Sequence, residues 1–157
     1  MSERIGKFIS IEGGEGAGKS TVLNAIQRFL ESRGAVVVCT REPGGTVIGE
    51  KIRGLLLDPN NKIVSNAELL LMFASRAQLV AELIKPEIAK GHMVISDRFT
   101  DASFAYQGGG RGIDDADIAE LEHRFVAIKP DLTLLLDLGV SQGLARAKSR
   151  GQAFDRI

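Results

Sequence analysis

The sequence predicts an α/β fold with a mostly parallel central sheet between two layers of helices. Short apolar runs typical of buried strands alternate with amphipathic helical patterns along the chain. That alternation is typical of parallel strands joined by right-handed helical crossovers. Polar stretches follow three of the apolar runs, at the carboxyl ends of strands, where ligands gather in such sheets. The 157 residues, 44% of them hydrophobic and 25% charged, suit one globular domain.

The apolar runs and their flanking residues place each element in order. Strands are predicted at 8–11, 35–40, 92–96 and 132–136, and helices at 19–33, 47–57, 65 to about 90, 115 onward and 142–150. The helix boundary signals are Gly34 and Gly91 as stops, Pro86 as an interruption, and Asp114 or Asp115 and then Ser141 as starts.

Three local patterns carry further expectations. Residues 65–68 match a capping box, in which Ser65 and Glu68 bond the backbone at the start of the long helix. The β-branched run at 35–40 predicts a strand buried on both faces, with Cys39 as a core thiol. The glycine-rich stretch at 108–112 predicts a flexible loop.

A glycine-rich stretch at 13–20 matches the template G-x-x-x-x-G-K-[ST] between a predicted strand and a predicted helix. Its glycines allow backbone N–H groups to point inward at a phosphate, and the helix start adds further donors. Lys19 is expected to reach the β- and γ-phosphates of a nucleotide, and the Ser20 hydroxyl to help hold Mg²⁺. The alternative is a flexible turn. The predicted ATP contacts are Gly13, Gly14, Glu15, Gly16, Ala17, Gly18, Lys19, Ser20 and Thr21.

The charge and the cysteine content limit which binding partners and which cellular compartment we expect. The formal net charge is zero, so nothing indicates a nucleic-acid polymer or an anionic membrane as a partner. Cys39 is the single cysteine, which excludes an internal disulfide. No apolar signal segment follows the first residues, and the longest apolar run, 69–74, is too short to span a bilayer. The cytoplasm is the expected compartment.

Several stretches occur together in the order found in bacterial thymidylate kinases. They are the phosphate loop, Arg-Glu-Pro-Gly-Gly-Thr at 41–46, Asp-Arg-Phe at 97–99, Tyr-Gln-Gly-Gly-Gly-Arg-Gly at 106–112, and the arginine-rich tail at 146–156. On these motifs the chain resembles that family over nearly its whole length. The resemblance implies a P-loop kinase fold and transfer of a phosphoryl group from ATP, with Mg²⁺, to dTMP. The products would be dTDP and ADP, in dTTP biosynthesis.

The same resemblance implies roles for individual residues. The implied dTMP contacts are Glu15, Arg41, Arg53, Phe73, Arg76, Arg98, Ser103, Tyr106 and Gln107. Among them Arg98 would bind the phosphate, Phe73 would stack on thymine, and Tyr106 would lie under the deoxyribose. Arg41, Arg53 and Arg76 would assist Arg98, and Gln107 and Ser103 would face the base edge. Glu15 would meet the 3′-hydroxyl or metal-bound water, and Asp97 would join Ser20 at the metal. A solvated charge is the alternative for each arginine, and a core position for Phe73, which helical spacing alone favours.

Gly16 stands where some family members carry a catalytic arginine, so lid arginines are expected to act instead. Arg150 and Arg156 are the leading candidates, followed by Arg146, which lies on the helix face of Arg150. The alternative is a solvated basic face. The expected catalytic set is then Lys19, Arg98, Arg150, Arg156, Arg146 and Glu15.

The resemblance also sets expectations for the whole chain. One domain is expected over 1–157, ending in or just after the lid region at about 146–157. Family members continue beyond this point, so the adenine contacts and the activity of the chain as given stay open. A homodimer packed through helices is implied.

Other functions remain alternatives on the sequence. A P-loop kinase for a different nucleotide or nucleoside is one, although 41–46 and 106–112 argue against it. A GTPase-type switch needs Asn-Lys-x-Asp, and Asn61-Lys62 is followed instead by Ile63-Val64. A folded but catalytically inactive fragment is the third.

Overall fold

The computed structural model describes residues 5–149, and its centre is a four-stranded parallel sheet. The strands are β1 (Lys7–Glu12), β2 (Val37–Arg41), β3 (Met93–Asp97) and β4 (Leu132–Leu135). Their order across the sheet is β2-β3-β1-β4, and each neighbouring pair runs parallel. The predicted α/β class is confirmed, and each predicted strand is found within two residues of its expected bounds.

Seven α-helices in the described range connect or follow these strands. They are α1 (Lys19–Ser32), α2 (Val47–Leu57), α3 (Ser65–Leu79), α4 (Lys85–Ala89), α5 (Thr100–Ser103), α6 (Asp115–Leu121) and α7 (Val140–Ser149). Wider π-helical turns continue α3, α5 and α6, at Val80–Ile84, Phe104–Gly109 and Glu122–Val126. Over residues 5–149, no helix has both the length and the apolar character needed to cross a membrane.

The main core lies where α3, its π-helical turn and α6 pack on one face of the sheet. Phe8 of β1 and Val94 of β3 supply the sheet side, and they belong to one core cluster with Leu69, Leu79 and Ile84. Side chains alternate between the two faces of a strand, so Ile9 and Ile11, also buried, point to the opposite face. The carboxyl ends of the buried strands β1 and β3 are thereby fixed side by side.

The prediction that the second strand is buried on both faces is wrong. β2 is the edge strand of the described sheet and its residues are only half-buried or exposed. Cys39 is an exposed free thiol rather than a core residue, and its Sγ donates to Gln27 Oε1 at 3.4 Å. A β-branched run reports strand propensity, whereas the number of neighbouring strands is a tertiary property.

The predicted capping box and glycine loop are also corrected. Val64 is the N-cap of α3 and makes no side-chain capping bond. Glu68 is turned into the interior, where Gln107 and Arg111 donate to its carboxylate. Gly108 and Gly109 belong to a π-helical turn and not to a loop. At the last helix, Ser141 lies inside α7, which begins at Val140.

Candidate active site

The phosphate loop joins β1 to α1, and its backbone requires glycine at several positions. Gly13, Gly16 and Gly18 have φ angles of 147°, 71° and 93°, in a region that residues with a side chain adopt only at a cost. Gly18 is the N-cap of α1, so the unpaired N–H groups of the first helical turn adjoin the loop. These donors and the partial positive charge of the helix start favour a bound anion.

Packing against α7 restricts the loop further. A Cβ atom at Gly16 would collide with the carbonyl oxygen of Gly143, and a Cβ atom at Gly143 would collide with the carbonyl oxygen of Glu15. The two backbones therefore touch at these glycines. A side chain at position 16 would force α7 away from the loop.

Lys19 lies across the phosphate loop. Its Nζ donates to the carbonyl oxygens of Gly13 at 2.9 Å and Gly14 at 3.0 Å. Burial and, secondarily, the nearby Arg98 charge lower the pKa of Lys19. Those carbonyl groups place the ammonium in the loop, where phosphate oxygens can take over its hydrogen bonds.

Arg98 connects the loop to the residues that follow β3. Its Nη2 donates to Glu15 Oε1 at 3.1 Å and to the Tyr106 hydroxyl at 3.0 Å. The guanidinium carbon lies 5.0 Å from the centroid of the Tyr106 ring, a cation–π distance. Its Nε is buried and has no partner among the described residues. The structure thus brings Glu15 to Arg98 and Tyr106, although Glu15 lies 83 residues before Arg98 in the sequence.

Glu12, at the end of β1, anchors the backbone of this arginine. Arg98 has a positive φ of 72°, which is uncommon for a residue with a long side chain. Its N–H donates to the Ile11 carbonyl at 3.0 Å, and the next N–H, of Phe99, donates to Glu12 Oε1 at 2.7 Å. Burial raises the pKa of Glu12 to about 7. These bonds fix the direction in which the Arg98 side chain leaves the sheet.

A cleft of about 440 Å³, counting its open mouth, lies beside Arg98 and is called the Arg98 cleft below. It is lined by four residues predicted to contact the nucleotide, namely Arg53, Arg98, Tyr106 and Gln107. The rest of its lining is Glu42, Pro43, Leu57, Met72 and Ala102. Arg53 donates from Nη1 to the Pro43 carbonyl at 2.9 Å, which fixes it in the wall.

Four predicted nucleotide contacts are interior residues, and their roles toward a nucleotide stay predictions. One of them, Gln107, is 0% exposed although it lines the Arg98 cleft. Arg76 is 0% exposed, and it donates to Glu42 Oε2 at 2.7 Å, Ser103 Oγ at 3.1 Å and the Phe99 carbonyl at 3.2 Å. Ser103 is likewise fully buried, and Phe73 belongs to the core cluster with 3% exposure. The Arg76 guanidinium carbon lies 4.7 Å from the Phe73 ring centroid, so these two residues stack on each other.

Met72, rather than Phe73, lines the Arg98 cleft. It lies four residues before Arg76, on the same helix face. The sequence pattern did not identify it as a cleft residue, because Met72 and Phe73 are adjacent and both apolar. Only the rotation of α3 against the sheet decides which of the two meets the cleft.

Burial also raises the pKa of Glu42, and the Arg76 guanidinium opposes that rise.

A second, wider cleft of about 780 Å³ opens between α1, β2 and the long helix, and it is called the Ser20 cleft. Arg41 lines it together with Ser20 and Asp97. The Arg41 Nη2 atom is paired with Glu50 Oε2 at 3.1 Å. The structure therefore does not bring Arg41 into the lining of the Arg98 cleft.

The family model that describes thymidylate kinase matches residues 11–157. The chain is 58% identical over 154 residues to the thymidylate kinase of Hahella chejuensis, covering 97% of this chain and 74% of that protein. The corresponding figures for Ectopseudomonas mendocina thymidylate kinase are 54% over 155 residues, 97% and 73%. The chain belongs to the thymidylate kinase family. The crystal structure of Ehrlichia chaffeensis thymidylate kinase matches with a TM-score of 0.80 at 35% identity, over 92% of this chain and 83% of that one.

The residues expected at a thymidylate kinase magnesium site fit that ion by their chemistry. Ser20 is exposed in the first turn of α1, beside Thr21, and shares the Ser20 cleft with Asp97. The Asp97 Oδ1 atom is buried and unpartnered within the described range, so it can accept a hydrogen bond from metal-bound water. Residues 5–149 contain no group of three or more His, Cys, Asp or Glu side chains able to hold a metal alone.

Only one of the expected lid arginines lies in the described range. Arg146 is an exposed residue of α7, the helix that touches the phosphate loop through Gly143. Arg150 and Arg156 lie outside the described residues. Their predicted roles stay predictions.

Proposed function

We propose that this chain transfers the γ-phosphoryl group of ATP to the phosphate of dTMP, giving dTDP and ADP. The observation that carries the proposal is the bond between Arg98 Nη2 and Glu15 Oε1 at 3.1 Å. It joins a phosphate-binding loop to an arginine that lines a separate cleft. Two nucleotides bound in these places would meet with their phosphates between Lys19 and Arg98. Membership of the thymidylate kinase family supports the choice of substrates.

Phosphoryl transfer to dTMP requires positive charge and correct positioning of the phosphates more than it requires a general base. A phosphate monoester has a second pKa of about 6, so the acceptor is mostly dianionic at neutral pH. The difficulty is bringing two anions together in line for transfer. Lys19 and the loop N–H groups would bind the donor phosphates, and the Arg98 guanidinium would bind the acceptor phosphate through parallel N–H donors.

The Arg98 cleft would hold the deoxyribose and the base. Tyr106, whose hydroxyl already accepts from Arg98, would lie under the sugar. Gln107 would face the base edge, and Met72 and Ala102 would give apolar contact with the ring. Arg53 would approach the nucleotide from the wall. Arg76, being buried, would act by holding Glu42 and Ser103 in place.

Ser20 and Asp97 would hold Mg²⁺, Asp97 through a water molecule. When bound with ATP, the ion neutralises phosphate charge and orients the phosphates. Arg146, Arg150 and Arg156 would contribute positive charge to the transferring group from the lid, with Gly16 leaving room beside α7. We further propose a cytoplasmic homodimer packed through helices, which the family resemblance implies.

A phosphorylation assay across the nucleoside monophosphates tests the proposal. ADP release is measured with ATP and Mg²⁺ and each of dTMP, dUMP, dCMP, dGMP and AMP. We expect the highest kcat/KM with dTMP. A clear preference for dCMP or AMP would refute the substrate assignment. Tight GTP binding without transfer to any monophosphate would favour a GTPase-type switch.

A further inference from the structure

A buried carboxylate, Glu68 of α3, is hydrogen-bonded to a residue of the Arg98 cleft lining. The residue is 1% exposed and accepts from Gln107 Nε2 at 3.0 Å. Arg111 donates to both carboxylate oxygens, from Nε and Nη2, each at 3.3 Å. Gln107 lines the cleft. The hydrogen bond from Gln107 to Glu68 thus connects a residue of the cleft lining to the Glu68–Arg111 ion pair, which lies outside that lining.

The Glu68–Arg111 pair determines which way the Gln107 amide points. A carboxylate bonded to a guanidinium offers only acceptors, so the amide must turn its NH₂ group toward Glu68. The opposite orientation would set the amide oxygen against the carboxylate. Consistent with this, Gln107 Oε1 is buried and has no partner among the described residues. Gln107 is 0% exposed, and the side-chain atom that it has left for a ligand is therefore an acceptor.

We infer that Glu68, held by Arg111, is a positioning residue that makes the Arg98 cleft select thymine over cytosine. The inference rests on the proposed function. The base of dTMP has one N–H group, at N3, whereas its O2 and O4 atoms only accept. Gln107 Oε1 can pair only with that N3–H. Cytosine presents a lone pair at N3, so in the same pose it would leave a buried acceptor facing another acceptor.

Glu68→Gln separates this role from simple packing. The substituted amide keeps the shape but offers both a donor and an acceptor, so Gln107 can flip and present NH₂ to the base. We measure kcat/KM for dTMP and for dCMP, together with the two dissociation constants by calorimetry. We expect the dTMP:dCMP preference to fall by about tenfold or more. The fall in preference should appear as a raised KM for dTMP with an unchanged KM for ATP. A general structural defect would change both KM values.

Glu82→Gln is the matched control. Gln78 Nε2 donates to Glu82 Oε2 at 2.6 Å, the same chemical pair on an exposed helix surface. This variant should keep the wild-type preference. Arg111→Lys is the second test, because it keeps a cation beside the buried carboxylate but cannot hold both Glu68 oxygens in a fork as the guanidinium does. The carboxylate then loses the contact that fixes its direction toward Gln107. This variant should lower the preference in the same direction, by about threefold or more.

A dTMP:dCMP preference unchanged within about twofold in a folded Glu68→Gln protein would overturn the inference. If circular dichroism shows that this variant does not fold, an unchanged preference in Arg111→Lys overturns it instead. The binding measurements distinguish the two proposals. A wild-type chain that binds dTMP selectively but does not transfer phosphate refutes the proposed reaction only. A wild-type preference for dCMP refutes the function and the inference together.

Discussion

Glu12→Gln is the substitution whose effect on stability is best defined by the structure. Glu12 is 6% exposed and accepts the Phe99 N–H at 2.7 Å. A glutamine oxygen can accept the same bond, so the variant removes the charge and keeps the anchor. The groups that face the carboxylate are Asp101 and Glu42, which raise its pKa, and Arg98, which lowers it.

The magnitude follows from the pKa of Glu12, which burial raises from 4.5 to about 7. The folded state binds the proton more tightly than the unfolded state. Stability therefore falls as pH rises from about 4.5 and levels off above about 7. A shift of this size corresponds to about 3 kcal/mol in total, of which about 2–3 kcal/mol lies between pH 5 and pH 8. Glutamine carries no such penalty, so the variant should gain stability relative to wild type over that interval.

The assay compares the free energy of unfolding of the two proteins in urea at several pH values. The difference between variant and wild type cancels the groups that both proteins share. Thermal unfolding should show the variant gaining about 5–10 °C in Tm relative to wild type between pH 5 and pH 8. Glu31→Gln, at an exposed position of α1, should show a flat difference. A flat difference for Glu12→Gln as well would refute the reasoning, since it would mean that Glu12 titrates normally in the folded protein.

Three other substitutions test the site and its support. Lys19→Ala should lower kcat by about 100-fold or more without changing the circular dichroism spectrum, and a near-wild-type rate would contradict its assigned role. Arg98→Ala should raise KM for dTMP more than KM for ATP, and a change in ATP affinity alone would contradict the acceptor assignment. Arg76→Leu should destabilise the fold by about 3–5 kcal/mol, because it leaves Glu42 buried without its cation; a urea midpoint near that of wild type would show that the ion pair is dispensable.

The local sequence was sufficient wherever chemistry and spacing act over a few residues. The template at 13–20 predicted the loop, and the structure gives Gly13, Gly16 and Gly18 the left-handed backbone that the template requires. The bounds of α2 match residue for residue, with Thr46 capping the Gly49 N–H. Asp97 and Arg98 lie at the carboxyl end of β3 as predicted, although the strand includes Asp97 and so ends one residue later than expected. Such features depend on backbone propensities and on capping bonds that neighbouring residues make with one another.

Long-range packing explains the errors. Met72 and Phe73 look alike in a periodic apolar pattern, and a rotation of α3 decides which one meets the cleft. Glu68 matches a capping box, but a longer-range contact with Gln107 and Arg111 takes its carboxylate away from the helix start. Arg76 has no local sign of burial, since its partner Glu42 lies 34 residues away.

The sequence alone determined the alternation of strands and helices, the phosphate loop and the family, because these depend on short-range periodicity and on motifs read in order. Only the tertiary structure decided which side chains line the same cleft and which are buried in the interior. Those outcomes depend on the angle at which a helix packs on the sheet and on the partners that distant segments bring to a buried charge.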